Sequence, residues 1–253
     1  MDKGRMKRCF GFQYLASLVL ILLVLAREPN RLASSQLDLE DQQPVGTLFV
    51  SCGDTAPYRS QEVRSPTLAS PDGLYKAYVV VKASAQENSC SNYSRLFVKG
   101  PGDKSYRVIR ELKPEPTLYG NGLRMVDWSP QGHSLSLMVL IFQFGSDVGW
   151  TEPWVYDADL DRFYYPPLNK LFAEVFRQDC AIRLADILGY SPDGQLILKV
   201  GDDWTVDEVI DNNGPRCIGA EDQVWRLDFK NNKVLRLSSL ERPQRYGRIG
   251  TER

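Results

Sequence analysis

Two stretches of this chain set aromatic rings beside carboxylates. Residues 145–153 carry Trp150 and Glu152, followed at once by Trp154 and Tyr156. Residues 201–222 carry Asp202, Asp203, Trp204, Asp207, Glu208, Asp211, Glu221 and Asp222 against a single base, Arg216. Carboxylates beside indole faces suit a peptide, a sugar or a cation, so Trp150, Glu152, Trp154, Asp202, Asp203 and Trp204 are the candidate ligand- or partner-binding residues. The competing reading is that the indoles fill packing and the acids are solvated loop charge. An enzymatic alternative is a small glycan-active hydrolase using Glu152 with Asp203 as its carboxylate pair.

Other chemistries find little support. A serine nucleophile needs a base, and His133 is the single histidine of the chain. It sits in a turn, and no Gly-x-Ser-x-Gly elbow is present. Asp157, Asp159 and Asp161 open like a calcium loop, but its sixth and twelfth positions would be Arg162 and Leu168, both wrong for it. A hairpin turn explains those acids better, since Asp157 aligns with Asp228 further on. No catalytic residue, metal site or cofactor is therefore expected.

The chain has 253 residues, of which 25% are charged and 43% hydrophobic, and its net charge is −1. That composition is globular and excludes disordered, collagenous and multi-span membrane classes. A charge so near zero gives no global field to attract nucleic acid. Lys3, Arg5, Lys7 and Arg8 precede an uncharged run from 10 to 26, the pattern of a signal peptide or a retained signal anchor. Contact with a membrane is expected only through residues 10–26, and only if they are not cleaved. Removing residues 1–26 leaves a net charge of −4 and four cysteines, Cys52, Cys90, Cys180 and Cys217. An even count in an exported chain favours disulfides and an extracytoplasmic location, whether periplasmic, secreted or membrane-anchored. Residues 27–46 read as a polar linker.

The elements that must position these residues repeat. Ser70-Pro71-Asp72-Gly73, Ser129-Pro130-Gln131-Gly132 and Ser191-Pro192-Asp193-Gly194 are each followed by a β-rich run. The strand before each turn is 63–69, 124–128 and 185–190. Two more strands follow in each repeat: 95–98 with 106–109, 154–157 with 162–165, and 224–229 with 233–237. The expected fold is thus all-β, with three four-stranded antiparallel sheets over residues 47–240. The loops 145–153 and 201–222 both join second to third strands and should emerge at one end. An apolar stripe of Leu168, Leu171, Phe172, Val175 and Phe176 predicts one short amphipathic helix at 167–177. Residues 241–253 read as a basic flexible tail. Each cysteine pair brackets one Ser-Pro turn, which predicts Cys52–Cys90 and Cys180–Cys217.

At these turns the sequence resembles WD-repeat-like β-propeller blades of the TolB type, in which a strand ends in an aromatic followed by Ser-Pro-Asp-Gly. Asp127-Trp128-Ser129-Pro130 and Gly189-Tyr190-Ser191-Pro192 match, whereas Leu68-Ala69-Ser70-Pro71 lacks the aromatic. The resemblance implies a scaffold that presents inter-strand loops to a protein or small-ligand partner. Propellers usually close with four to eight blades, and three are visible. Terminal sheets with bare apolar faces would drive self-association, in the specific version a homodimer whose two chains close one six-bladed ring.

Overall fold

A computed structural model describes residues 45–53, 59–86, 89–114, 119–143, 149–203, 216–237 and 242–250. All of them belong to the compact unit Pro44–Arg253. The predicted export segment 1–26, most of the linker and Trp204 lie outside the described residues.

Each Ser-Pro turn folds in the same way. The amide of Gly73 donates to Ser70 O, that of Gly132 to Ser129 O and that of Gly194 to Ser191 O, at 2.8–2.9 Å. All three glycines hold a positive φ of 78–85°, which their lack of a Cβ permits. Around these turns the chain forms three antiparallel sheets, one per repeat.

Sheet 1 contains β2 (Thr67–Ala69), β3 (Lys76–Gln86), β4 (Ser89–Lys99) and β5 (Arg107–Leu112). Sheet 2 contains β6 (Tyr119–Trp128), β7 (Ser134–Gln143), β8 (Gly149–Asp157) and β9 (Arg162–Tyr164). Sheet 3 contains β10 (Ile182–Tyr190), β11 (Leu196–Asp202), β12 (Gln223–Asp228) and β13 (Lys233–Arg236). The strand expected at 63–69 divides into β1 (Gln61–Arg64) and β2, because Pro66 offers no amide to the ladder. Ser65 bridges the break: its amide donates to Val79 O at 2.8 Å, and its hydroxyl accepts from Val79 N at 3.0 Å.

Sheet 2 is the middle layer, and the two-residue period of its strands supplies both neighbours. Leu135, Leu137, Val139, Trp154 and Tyr156 pack towards sheet 1 with Val79, Val81, Leu96 and Val98. Met138 and Val155 pack the other way, with Leu184, Leu196, Leu198, Val200 and Leu227 of sheet 3. The predicted helix forms as α1 (Leu168–Phe176). Leu168, Leu171 and Phe172 enter the core between sheets 2 and 3, and the Phe172 ring meets Trp225 edge-on at 4.9 Å. Val175, counted in the apolar stripe, is exposed instead.

The C-terminal residues depart most from expectation. Residues 242–250 are a strap rather than a flexible tail. Gln244 bridges Tyr190 of β10, the amides of Tyr246 and Gly247 donate to Asp127 of β6, and β14 (Arg248–Gly250) pairs with β2. The N-terminal segment takes part as well: Val45 bridges Met125, and Leu123 N donates to Leu48 O at 2.9 Å. The first strand of every sheet is thus lined by one end of the domain. Gly122 shows how close this is, since a Cβ there would lie 2.5 Å from Leu48 O. No strand period is legible at 242–250 because the segment meets three sheets in turn and pairs as a strand only over Arg248–Gly250, and Asp127 anchors its middle.

Candidate functional site

β8 carries the first group of candidate residues. Its even-numbered side chains leave the face turned towards sheet 1, so Trp150, Glu152 and Trp154 form a row two residues apart. Glu152 stands between the two indoles. Trp150 Nε1 donates to its Oε1 and Trp154 Nε1 to its Oε2, each at 3.0 Å. The carboxylate is fixed by two neutral donors and keeps lone pairs for a further partner.

Aromatic rings continue the row. Tyr165 meets Trp154 edge-on at 4.9 Å, and Phe163 lies 6.1 Å from it. Arg110 of β5 places its guanidinium 5.2 Å from the centroid of Trp154 and 5.9 Å from those of Phe163 and Tyr165. This cation–π cluster ties sheet 1 to the outer part of sheet 2. Trp154 is buried within it, whereas Trp150 and Tyr165 remain 41% and 49% exposed.

Beyond the end of β9, the outer edge of β8 has no partner strand among the described residues, and a cleft of about 590 Å³ opens there. One wall is Trp150–Trp154, and the other is Tyr165–Lys170, where the chain turns into α1. Ile182 and Asp203 form the side nearest sheet 3. A second cleft of about 270 Å³ continues between sheets 2 and 3 past Thr151, whose hydroxyl donates to Leu184 O. Pro153 removes an amide from β8 and discourages strand addition along this side.

The remaining candidates separate by role. Asp202 is buried, and its carboxylate accepts the amides of Cys217, Ile218 and Gly219 at 2.9–3.1 Å. It shapes the segment before β12 and offers nothing to a ligand. Asp203 borders the cleft, and its amide donates to Ala181 O. Glu152 and Asp203 line the same cleft, Glu152 from β8 and Asp203 from the residue that follows β11.

Cys52–Cys90 and Cys180–Cys217 are the disulfides, each with 5.9 Å between Cα atoms. Cys90 opens β4, and Cys180 and Cys217 precede β10 and β12, so both bridges brace the end of the sheets that carries the cleft. Bonds of this kind mark an oxidising, extracytoplasmic environment. No helix among the described residues is long and apolar enough to cross a membrane.

Sequence reading missed Arg110 and Tyr165, because neither lies in the two loops rich in aromatics and acids. The one available signal was Tyr165 beside Pro166-Pro167, a stiff entry to the helix. The acids of the β8–β9 turn are structural. Asp157 Oδ1 accepts Leu160 N at 3.1 Å, as Asp228 Oδ1 accepts Asn231 N at 3.1 Å in sheet 3. Among the described residues no group of three or more His, Cys, Asp or Glu side chains is placed to hold a metal ion. Neither a protein-family model, nor a curated protein, nor a solved structure matches this chain.

Proposed function

We propose that this chain is an exported, non-catalytic binding or scaffolding protein that receives a protein partner at the cleft end of its sheets. The observation that carries this reading is Glu152, whose two oxygens are each engaged by an indole N–H. Two neutral donors hold the carboxylate in one orientation and leave it lone pairs for a further partner. The arrangement suits recognition of a ligand group. The three-sheet architecture fits the TolB-type, WD-like resemblance, and the basic and apolar residues 1–26 together with the disulfides support export.

Position-specific photo-cross-linking tests the reading. A photoreactive side chain is placed at Trp150 or Tyr165 at the cleft, and at Leu160 or Leu235 as exposed controls elsewhere. In the native cells one protein should cross-link from the cleft positions and not from the controls. Glycan hydrolysis lost in Glu152→Gln would instead support the carboxylate-pair enzyme and overturn the binding reading.

A further inference from the structure

The face of sheet 1 turned away from sheet 2 carries a charge pattern that packing does not require. β3 and β4 run side by side over their whole length. Ala77, Val79, Leu96 and Val98 enter the core, so the residues alternating with them face outward. On that face the register pairs Lys76 with Lys99, Tyr78 with Phe97, Val80 with Arg95 and Lys82 with Tyr93, one pair about every 7 Å.

Lys76 and Lys99 therefore stand directly opposite each other, and opposed like charges destabilise a ladder. Neither forms an ion pair among the described residues. Asp103 feels the charge of Lys99, but its carboxylate is bonded to the Gly100 amide at 2.9 Å and to Arg107 at 3.4 Å. The other cations of the face have partners. Lys82 pairs with Glu62 at 3.6 Å and Arg95 with Glu111 at 2.6 Å, while Arg64 covers the Tyr78 ring at 3.8 Å. Cations thus outnumber acids on this face, although the chain after residue 26 is net negative.

The aromatic rings of the face are engaged with one another. Tyr78 stacks on Phe97 at 4.6 Å, and Tyr106 meets it edge-on at 4.8 Å. They make a stiff floor beside the two lysines and leave no bare ring on which a nucleobase would stack. The ligand suited to such a face is an anionic chain held by charge and by ammonium hydrogen bonds. The disulfides mark the surroundings as extracytoplasmic, where acidic polysaccharides supply such chains.

We infer that the Lys76–Lys99 pair is the centre of a docking surface for an acidic polysaccharide, one that carries carboxylate or sulfate groups. The surface is separate from the cleft along β8, and the inference does not depend on the partner proposed there. One anionic group accepts from both ammonium groups and relieves their repulsion. The chain then continues along β3 and β4, where the excess of cations keeps the field positive.

The test uses the full chain, secreted with both disulfides formed, and calorimetric titration with a heparin octasaccharide and with octagalacturonate. Saturable binding of either, weakening as salt rises from about 20 mM to about 0.5 M, is the expected result. The methyl ester of octagalacturonate, which loses the charge, should not bind. Lys76→Gln and Lys99→Gln should each weaken binding about tenfold, and the double variant should abolish it. Lys170→Gln, the same charge change at an exposed site on α1, should leave affinity unaltered. The denaturant midpoint of the double variant should not fall, because the repulsion has gone; a merely structural pair would lower it. Failure of both acidic chains to bind, undiminished binding in the double variant, or an equal loss in Lys170→Gln overturns the proposal. Single-stranded DNA of equal charge, or phosphatidylglycerol vesicles, binding as tightly as the acidic chains overturns the assignment to a polysaccharide.

Discussion

The indole N–H of Trp128, at the end of β6, donates to the backbone carbonyl of Leu68 in β2 at 3.1 Å. One repeat later the hydroxyl of Tyr190 reaches the preceding sheet at a different strand, donating to Ser134 O at the start of β7 at 3.3 Å. The aromatic residue before each Ser-Pro turn therefore bolts its sheet to the preceding one. Ala69 fills that position in the first repeat, where no sheet precedes it among the described residues, and Ala69 pairs with Arg248 of the strap instead. Trp128→Phe keeps most of the buried ring and removes the bond to the Leu68 carbonyl, so it should cost about 0.5–1.5 kcal/mol. Tyr190→Phe, which removes a longer bond, should cost about 0.5–1.5 kcal/mol. Denaturant midpoints measure both. A neutral Trp128→Phe would show that the aromatic serves packing alone.

The strap depends on Asp127, which is 1% exposed and accepts Tyr246 N at 2.8 Å and Gly247 N at 2.7 Å. Burial raises its pKa above the ordinary carboxylate value, while the two amides pull the other way. A carboxyl whose folded pKa is raised holds its proton more tightly in the native state, so its contribution to stability falls as pH rises through that window. Asp127→Ala strands two amides and should cost about 2–3 kcal/mol at neutral pH. Asp127→Asn does not titrate, so the stability gap between wild type and this variant should widen as pH is lowered from 7 towards about 4. A gap that narrows on acidification would show that the amide bonds outweigh burial.

Gly189 holds a φ of +133°, and a Cβ there would lie 2.6 Å from Gln244 O. Gly189→Ala therefore meets both a backbone that L side chains rarely adopt and the strap itself, and it should cost about 2–4 kcal/mol. Gly102, with φ +80° and open space around its Cβ position, is the control. Its alanine variant meets only the backbone term, of order 1 kcal/mol. Amide exchange should show loss of protection at Gln244 in Gly189→Ala and not in Gly102→Ala. Equal effects of the two variants would mean that the strap tolerates displacement.

What was legible in the sequence follows from period and punctuation. The alternating runs Leu135–Val139 and Trp154–Tyr156 lie where the sequence places strands, because each residue feeds one of two packed faces. The cysteine pairs were legible since each brackets a single turn. Trp150, Glu152 and Trp154 were legible as aromatics beside an acid but not as a row, because the sequence places 145–153 in a loop, whereas the strand β8 already begins at Gly149. The neighbours of the row were not legible: Arg110 is 44 positions away from Trp154 along the chain, and only the packing of β5 against β8 and β9 brings it to the rings. Asp202 misled for a related reason. An acid in an acid-rich stretch looks solvated until the amides that bury it are known. The strap was invisible because its partners lie in three different sheets and its own sequence carries no alternation.

The outer faces of sheets 1 and 3 decide whether the domain needs a second copy. The sequence suggested bare apolar faces at both ends of the arc. On sheet 1, however, Arg64 covers the Tyr78 ring at 3.8 Å and Tyr78 stacks on Phe97 at 4.6 Å. Further along, Lys82 and Arg95 flank Tyr93 at 5.5 and 5.1 Å. The rings are covered by one another and by charged groups, and Arg95 and Lys82 pair with Glu111 and Glu62 at 2.6 and 3.6 Å. On sheet 3 the register puts Lys199 and Val224 on the far face, together with Arg226 and Leu235. Both terminal faces thus carry charged groups, which a two-chain ring would have to desolvate. The strap meanwhile supplies the contacts among the three sheets that ring closure would otherwise provide. The expected result is a monomer: light scattering of the chain freed of residues 1–26 should give one mass at micromolar concentration, with little binding of a hydrophobic dye. A stable dimer that dissociates on Arg64→Glu or Lys199→Glu would restore the two-chain ring and show that these faces meet after all.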